Sequence, residues 1–316
     1  MAEAVALGEE ARGTTAPNPN VGCVIVGDGE AVGRGMTQPG GRPHAEAVAL
    51  AEAGERAGGA TIYTSLEPCA HESSRGPACA DLIVAARPAR VVAALADPDP
   101  RTNGAGFARI RAAGIDVAVG PGAPAAERSL EGFLSRIRRG RPFVTLKLAL
   151  SIDGKIALPS GESRWITGVE SRAHVHHERA RADMILVGRG TYDADRPRLD
   201  VRLPGLEHRS PRRALLTRGE PVAGWTCLSS PQAIHTLHEV NDLLVEGGSG
   251  AASAFLGADL VDRLLIYRAP ILIGEGRSAV GYVGLTDLAA AHGRWQLAES
   301  RALGMDRLEV YERVGA

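Results

Sequence analysis

Three observations predict an α/β architecture built as two consecutive units. Strand-like and helix-like segments alternate along the chain, the pattern restarts with a long apolar strand after residue 141, and 316 residues suffice for two domains with a core in each. Alternation implies largely parallel pairing, because a crossover helix returns the chain to its sheet in the same direction.

In the first unit "AEAVALGEEA" reads as a helix, "VGCVIV" as a buried strand and "GDGE" as the turn into a second short strand ending near "GRGMT", which makes a hairpin. Then "AEAVALAEAG" is a helix, "TIYTSL" a strand, "CADLIVAA" a helix, "RVVAAL" a strand, "FARIRAAG" a helix and "IDVAVG" a strand. One helical stretch, "AAERSLEGFLSRIRRG", closes the unit.

The second unit opens on "RPFVTLKLALSIDGKIA", a long apolar strand with a turn at Asp153-Gly154, so the boundary falls close to Arg141 and the domains are 1–140 and 141–316. Its elements include a helix around "SRAHVHHERARA", strands at "MILVG", "RALLT" and "DLLVEGG", a helix in "GAASAFLGA" and a strand at "DRLLIYRAPIL". The polar, proline-containing stretch "RPRLDVRLPGLEHRSPRR" is expected to be a surface loop. No internal repeat and no low-complexity tract stands out.

Composition narrows the function. Lys plus Arg number 36 against 37 Asp plus Glu, a formal charge of −1, which gives no bulk attraction to nucleic acid or to an anionic membrane. Any anion site must be local. No window has the length of apolar sequence that a membrane span needs, and the first residues lack a basic region followed by a long apolar one, so a cytoplasmic protein is expected. Cys23, Cys69, Cys79 and Cys227 are too few for a disulfide scaffold in a chain of this size, leaving metal binding or burial.

"RPHAEAVAL" puts His44 and Glu46 at a helix start, and "LEPCAHESSRGPAC" follows with Cys69 after a proline at a strand end and Cys79 at the next helix. One His and two Cys make an open zinc site, whose fourth tetrahedral position admits a water made acidic by the metal. Proton transfer then needs a base, and Glu46 stands beside the His ligand. Taken singly, Glu46 could serve the helix dipole and each cysteine could be a buried hydrophobe. Together, each at an element boundary, they form the zinc deaminase signature, in which the glutamate shuttles protons between the attacking water and the departing amine. The two cysteines here have nine residues between them, where the generic signature has two.

With "TAPNPNVGCVIV", "PHAEAVAL", "SLEPCAHESSRGPAC" and "ALADPDPRTNGAGFARIRAAGI" in order, the first 140 or so residues resemble the deaminase half of the bifunctional riboflavin-biosynthesis deaminase/reductase family. "LKLALSIDGKIA", "GESRWITG", "HHERARADMILVGRGTYDADRPRLDVR" and "LLVEGGSGAASAFL" resemble its reductase half. The resemblance implies a cytidine-deaminase-like three-layer domain followed by a dihydrofolate-reductase-like one. It implies His44, Cys69 and Cys79 as ligands of one zinc ion, Glu46 as the catalytic proton donor, and Asn18 facing the pyrimidine ring. The family's inter-cysteine loop carries a His and then a Lys or Arg for the substrate phosphate. Here His71 keeps its place, while a loop one residue longer displaces Arg75 by one step.

In the second half the resemblance implies that Ala149, Trp165, Thr191, Asp195 and the Gly248, Ser249, Gly250 segment line an NADPH site, and that Ser163, Arg179, Leu199, Arg202 and Glu246 line the substrate. Arg179 and Arg202 offer planar donors suited to phosphate, and Lys147 a point charge. "VEGGSGAAS" is a Gly-rich turn between strand and helix, the kind that brings backbone N–H groups to a diphosphate, yet it misses the last glycine of the Rossmann fingerprint and does not open its domain. The histidines of "HVHHER" have no Cys or carboxylate at matching spacing and are read as surface or packing residues.

The implied activity is zinc-dependent hydrolytic deamination of a diaminopyrimidinone bearing a phosphoribosylamino group, then NADPH-dependent reduction of the ribosyl chain to ribityl. Partners would be that small-molecule substrate and, from the family alone, further copies of the chain in a homo-oligomer. A deaminase of nucleic acid or of another nucleoside would share the zinc signature, but the near-neutral charge and the second half argue against it.

Overall fold

The computed structural model describes residues 1–71 and 75–315. Two compact units divide the chain, Met1–Arg141 and Pro142–Ala316.

The first unit runs α1 (Ala2–Ala11), β1 (Gly22–Gly27), β2 (Glu30–Met36), α2 (Ala45–Ala53), β3 (Thr61–Thr64), α3 (Cys79–Ala86), β4 (Arg90–Ala93), α4 (Ala105–Ala112), β5 (Asp116–Val119), α5 (Ala123–Ser129) and α6 (Glu131–Arg139). Its sheet has the order β2-β1-β3-β4-β5. The expectation of largely parallel pairing is corrected here: β1 is antiparallel to both β2 and β3, and only β3, β4 and β5 pair in parallel. The cause is local. The tight hairpin reverses β2 against β1, and the α2 crossover then sets β3 on the other side of β1, parallel to β2 but not beside it.

Register places helices on both faces of this sheet. Cys23 pairs with Gly35, so the two share a face, and Gly22 points to the other. A Cβ on Gly35 would overlap Ala45 O and lie 2.7 Å from Ala49 N in α2, and one on Gly22 would overlap Ala4 O in α1. Both glycines are therefore contact points at which a helix backbone rests on the sheet. Gly35→Ala should push away α2, which carries Glu46 and is capped by His44, destabilising the unit by about 3 kcal/mol. Thermal unfolding and zinc per chain measure this, and a variant with unchanged midpoint and full zinc would show that the helix can yield.

The closing helical stretch is two helices rather than one. Leu130, fully buried, leaves the helical region (φ −97°, ψ 7°), which turns α6 so that Phe133 and Leu134 join Ala126 of α5 in one core.

The second unit contains β6 (Phe143–Leu150), β7 (Lys155–Ala157), α7 (Val169–Ala180), β8 (Met184–Gly188), α8 (Arg189–Asp195), β9 (Arg212–Leu216), β10 (Thr226–Leu228), β11 (Asp242–Glu246), α9 (Ser249–Gly257), β12 (Arg263–Arg268), β13 (Arg277–Ser278), β14 (Trp295–Leu303) and β15 (Asp306–Arg313). Eight strands lie in the order β10-β9-β8-β11-β6-β12-β15-β14, and β7 pairs separately with β13. The first six run parallel, while β15 and β14 add an antiparallel edge. Strand β11 is buried at every residue and β8 at all but its last, as central parallel strands require. In β6 burial alternates: Val144, Leu146, Leu148 and Leu150 pack with Ala251, Ala252 and Phe255 of α9, which leaves Lys147 and Ala149 on the opposite face.

Of the expected surface loop from 196 to 213, residues 196–211 hold no strand or α-helix and the last two begin β9, but Leu199 and Val201 are buried within it, and Leu199 packs against Ile185, Val187 and Leu215. Its polarity is real but interrupted, and two apolar side chains suffice to pin it. No helix among the described residues is long and apolar enough to cross a membrane.

Candidate active sites

In the first unit the three expected ligands converge. His44 is the residue that caps α2, with an extended backbone (φ −73°, ψ 162°) and no side-chain capping bond, so its ring turns away from the helix it precedes. Cys69 follows Pro68 beyond the end of β3, and Cys79 is the first residue of α3. His44 Nδ1 lies 3.5 Å from Cys69 Sγ and 3.3 Å from Cys79 Sγ, and all three donor atoms fall within 4.8 Å of one another. Zinc with ordinary bonds to nitrogen and sulfur at tetrahedral angles separates those atoms by roughly 3.5 Å. The donor set fits zinc in element, number and spacing. The Cys79 N–H donates to Cys69 Sγ at 3.3 Å, and bonds from the Cys79 thiol first, then His44, hold the Cys69 thiol far below its ordinary value.

Glu46 is buried within the first turn of α2, and Thr64 Oγ1 donates to its Oε1 at 3.3 Å. Burial pushes its carboxyl above the usual carboxylate range. Around this centre, Asn18 Nδ2 donates to Gly41 O at 2.6 Å and Arg75 Nη2 to Gly40 O at 3.0 Å, so both expected substrate residues rest on the turn before α2. His71 Nδ1 lies 3.5 Å from Thr102 Oγ1.

Two acidic residues here escaped the sequence reading. Glu67 is buried and accepts four backbone N–H groups, from Asp97, Gly104, Gly106 and Phe107, at 3.0 to 3.2 Å, which ties the segment after β4 to the turn that carries Cys69. Asp97 is buried as well, and burial raises its carboxyl to about 7. The signal was "ADPDP": acids alternating with prolines at the carboxyl end of a parallel strand, where ligands of open α/β sheets bind.

In the second unit the expected residues line one cavity of about 1230 Å³: Lys147, Ala149, Ser163, Trp165, Arg179, Thr191, Asp195, Leu199, Arg202, Glu246 and the Gly248, Ser249, Gly250 turn. Pockets that take one drug-sized ligand run to about 1,000 Å³, so this cavity has room for a cofactor and a second ligand together. Glycine backbone permits the close approach at its floor. A Cβ on Gly247 would lie 3.2 Å from Ala251 Cβ, and one on Gly248 3.2 Å from Thr191 Oγ1. The nine-residue α9 begins there without a side-chain cap, which leaves its first N–H groups for an anion such as the diphosphate of NADPH. The cradle fits that cofactor.

Arg179 lines this cavity with its guanidinium already bound to a carboxylate. Its Nε and Nη2 form a two-pronged bond to Glu246 at 2.7 and 2.8 Å, and Lys147 Nζ lies 3.2 Å from the same carboxylate. Burial alone would raise the Glu246 carboxyl, but Lys147 and Arg179 overcome it and hold it at about 2. Arg202 pairs with Asp200, and its backbone N–H donates to His176 Nδ1 at 3.2 Å. His176 thus lines the cavity and steadies the 199–203 segment, while His174 bonds Tyr267 at 2.7 Å; among the described residues the one cluster fit for a metal is His44, Cys69 and Cys79.

Comparison with known proteins covers the whole chain. The family described as the RibD C-terminal domain matches residues 142–308, and the cytidine and deoxycytidylate deaminase zinc-binding region matches residues 1–95. The chain is 39% identical to the riboflavin biosynthesis protein RibD of Escherichia coli K12 over 97% of its own length and 96% of that protein's. Identity to RibD of Corynebacterium ammoniagenes is 40%, over 88% of this chain and 87% of the other. Among solved structures, a RibD from Acinetobacter baumannii superposes with a TM-score of 0.89 at 34% identity, covering 99% of this chain and 97% of that one. A diaminohydroxyphosphoribosylaminopyrimidine deaminase/5-amino-6-(5-phosphoribosylamino)uracil reductase from Thermotoga maritima gives 0.90 at 30% identity with the same coverage.

Proposed function

The chain belongs to the RibD family, and on that premise we propose how its two sites divide the work of a bifunctional riboflavin-biosynthesis enzyme. Met1–Arg141 is the deaminase and Pro142–Ala316 the reductase. The observation that carries the reading is the meeting of His44, Cys69 and Cys79 beside buried Glu46.

Those three residues hold zinc, which when bound acts as a Lewis acid that makes a water nucleophilic near neutral pH. Asn18 orients the diaminopyrimidinone ring, with His71 and Arg75 toward the phosphate of its ribosylamino arm. Glu46 takes a proton from the attacking water and delivers it to the leaving amine, so that water replaces the exocyclic amine and ammonia departs. Burial serves this exchange, because a carboxyl raised toward neutrality both accepts and returns a proton readily.

In the reductase, Ala149, Trp165, Thr191, Asp195 and the Gly248, Ser249, Gly250 turn hold NADPH, which supplies hydride to the opened ribose. Glu246, fixed by Lys147 and Arg179, presents that polar cluster to the sugar, with Ser163, Leu199 and Arg202 around it. Positioning carries this step.

An assay on zinc-analysed protein with the phosphoribosylamino diaminopyrimidinone tests the assignment. Ammonia should appear without NADPH, and NADPH oxidation should require the deaminated product. Removing zinc with a chelator should abolish ammonia release and leave oxidation of supplied deaminated product intact. Ammonia release that survives complete zinc removal would overturn the reading.

A further inference from the structure

Arg42 stands two residues before His44, directly after the Pro39–Gly41 turn. That turn gathers residues of the deaminase site, since Gly41 O accepts from Asn18 and Gly40 O from Arg75. Arg42 reaches the opposite way, its Nη1 donating to Pro77 O at 3.2 Å. The two arginines therefore cross, each resting on a carbonyl of the segment that carries the other. Together with His44 and Pro77 they line one groove of about 400 Å³.

The carbonyl contact of Arg42 orients its guanidinium without neutralising it. Arg42 has no carboxylate partner among the described residues, and its one hydrogen bond leaves four of the five N–H donors of a guanidinium for a ligand. In a chain with a formal charge of −1 the Arg42 guanidinium is a local positive charge, set on the approach to a metal site. Planar forks of this kind match the oxygens of a phosphate monoester in pairs.

We propose that Arg42, which the family resemblance leaves unassigned, is a phosphate anchor of the deaminase site and acts with Arg75 across the groove. Binding the phosphate at the groove fixes the far end of the substrate relative to His44, so Arg42 sets which pyrimidines are accepted: those that carry a phosphate on the ribosylamino arm. The longer inter-cysteine loop, which displaces Arg75 by one step, makes a second guanidinium on the opposite wall consequential. This rests on the deaminase reading above.

The test is steady-state ammonia release, without NADPH, from the phosphorylated substrate and from the same compound treated with phosphatase. Arg42→Gln should raise KM for the phosphate ester about 30-fold, as loss of a charge-assisted hydrogen bond implies, while kcat falls less than about threefold. On the dephosphorylated compound wild type and variant should coincide. Arg42→Lys, which keeps the charge without the fork and is the milder change for folding, should lose about fivefold in KM on the ester alone. An unchanged KM in both variants, or an equal loss on both compounds, overturns the proposal. No ammonia from zinc-loaded wild type would remove the deaminase premise, and the proposal with it.

Discussion

Glu46→Gln should abolish ammonia release, lowering kcat about 10³- to 10⁴-fold, while zinc stays bound at one per chain and NADPH oxidation of supplied deaminated product is unaffected. Glutamine keeps the volume of the buried side chain and an oxygen to accept from Thr64 Oγ1, so the first turn of α2 should hold its place. It has no proton to relay. The ligands come from His44, Cys69 and Cys79, and glutamine keeps a polar atom for the side-chain bond that Glu46 shares with Cys79, so metal content separates loss of the shuttle from loss of the site. Activity within tenfold of wild type in a fully zinc-loaded variant would mean that another group moves the proton, and buried Asp97, held near 7, is the first to examine.

How much of this was readable in the sequence follows from where each partner lies along the chain. The zinc ligands and Glu46 sit at a helix start, a strand end and a helix start, and local motifs announce all three positions. Strand β6 was readable too, since its period-two burial puts Lys147 and Ala149 on one face. The antiparallel β15 and β14 edge was missed, although Leu308 and Val310 alternate with Arg307 and Glu309 in "RLEVYER". Pairing direction escaped because β1 inserts between two strands that a crossover joins, a fact of the whole sheet and not of any window. The fate of Arg179 was hidden for the same reason: its type suggests a phosphate ligand, and only the fold brings it to a carboxylate 67 residues away.

That pairing leads to the largest expected effect on stability. Glu246 is buried, accepts the fork of Arg179 and neutralises Lys147 as well. Removing the carboxylate leaves Lys147 and Arg179 facing one another without the counter-ion they share, so Glu246→Gln should destabilise the second unit by about 3 to 5 kcal/mol and abolish NADPH oxidation, with ammonia release retained. All three tryptophans, Trp165, Trp225 and Trp295, belong to that unit, so tryptophan fluorescence in urea reports its unfolding within the intact chain. The same carboxylate predicts a pH dependence. Its folded value of about 2 lies below the ordinary 4.5, so the folded state releases the proton more readily, and the stabilisation, on the order of 3 kcal/mol, is fully present above pH ~4.5. It is lost as pH falls toward about 2. Wild type should lose that increment between those limits and Glu246→Gln should not, because the amide has nothing to titrate. Parallel urea midpoints for the two proteins across that range would show that Lys147 and Arg179 are held by something other than the charge of Glu246.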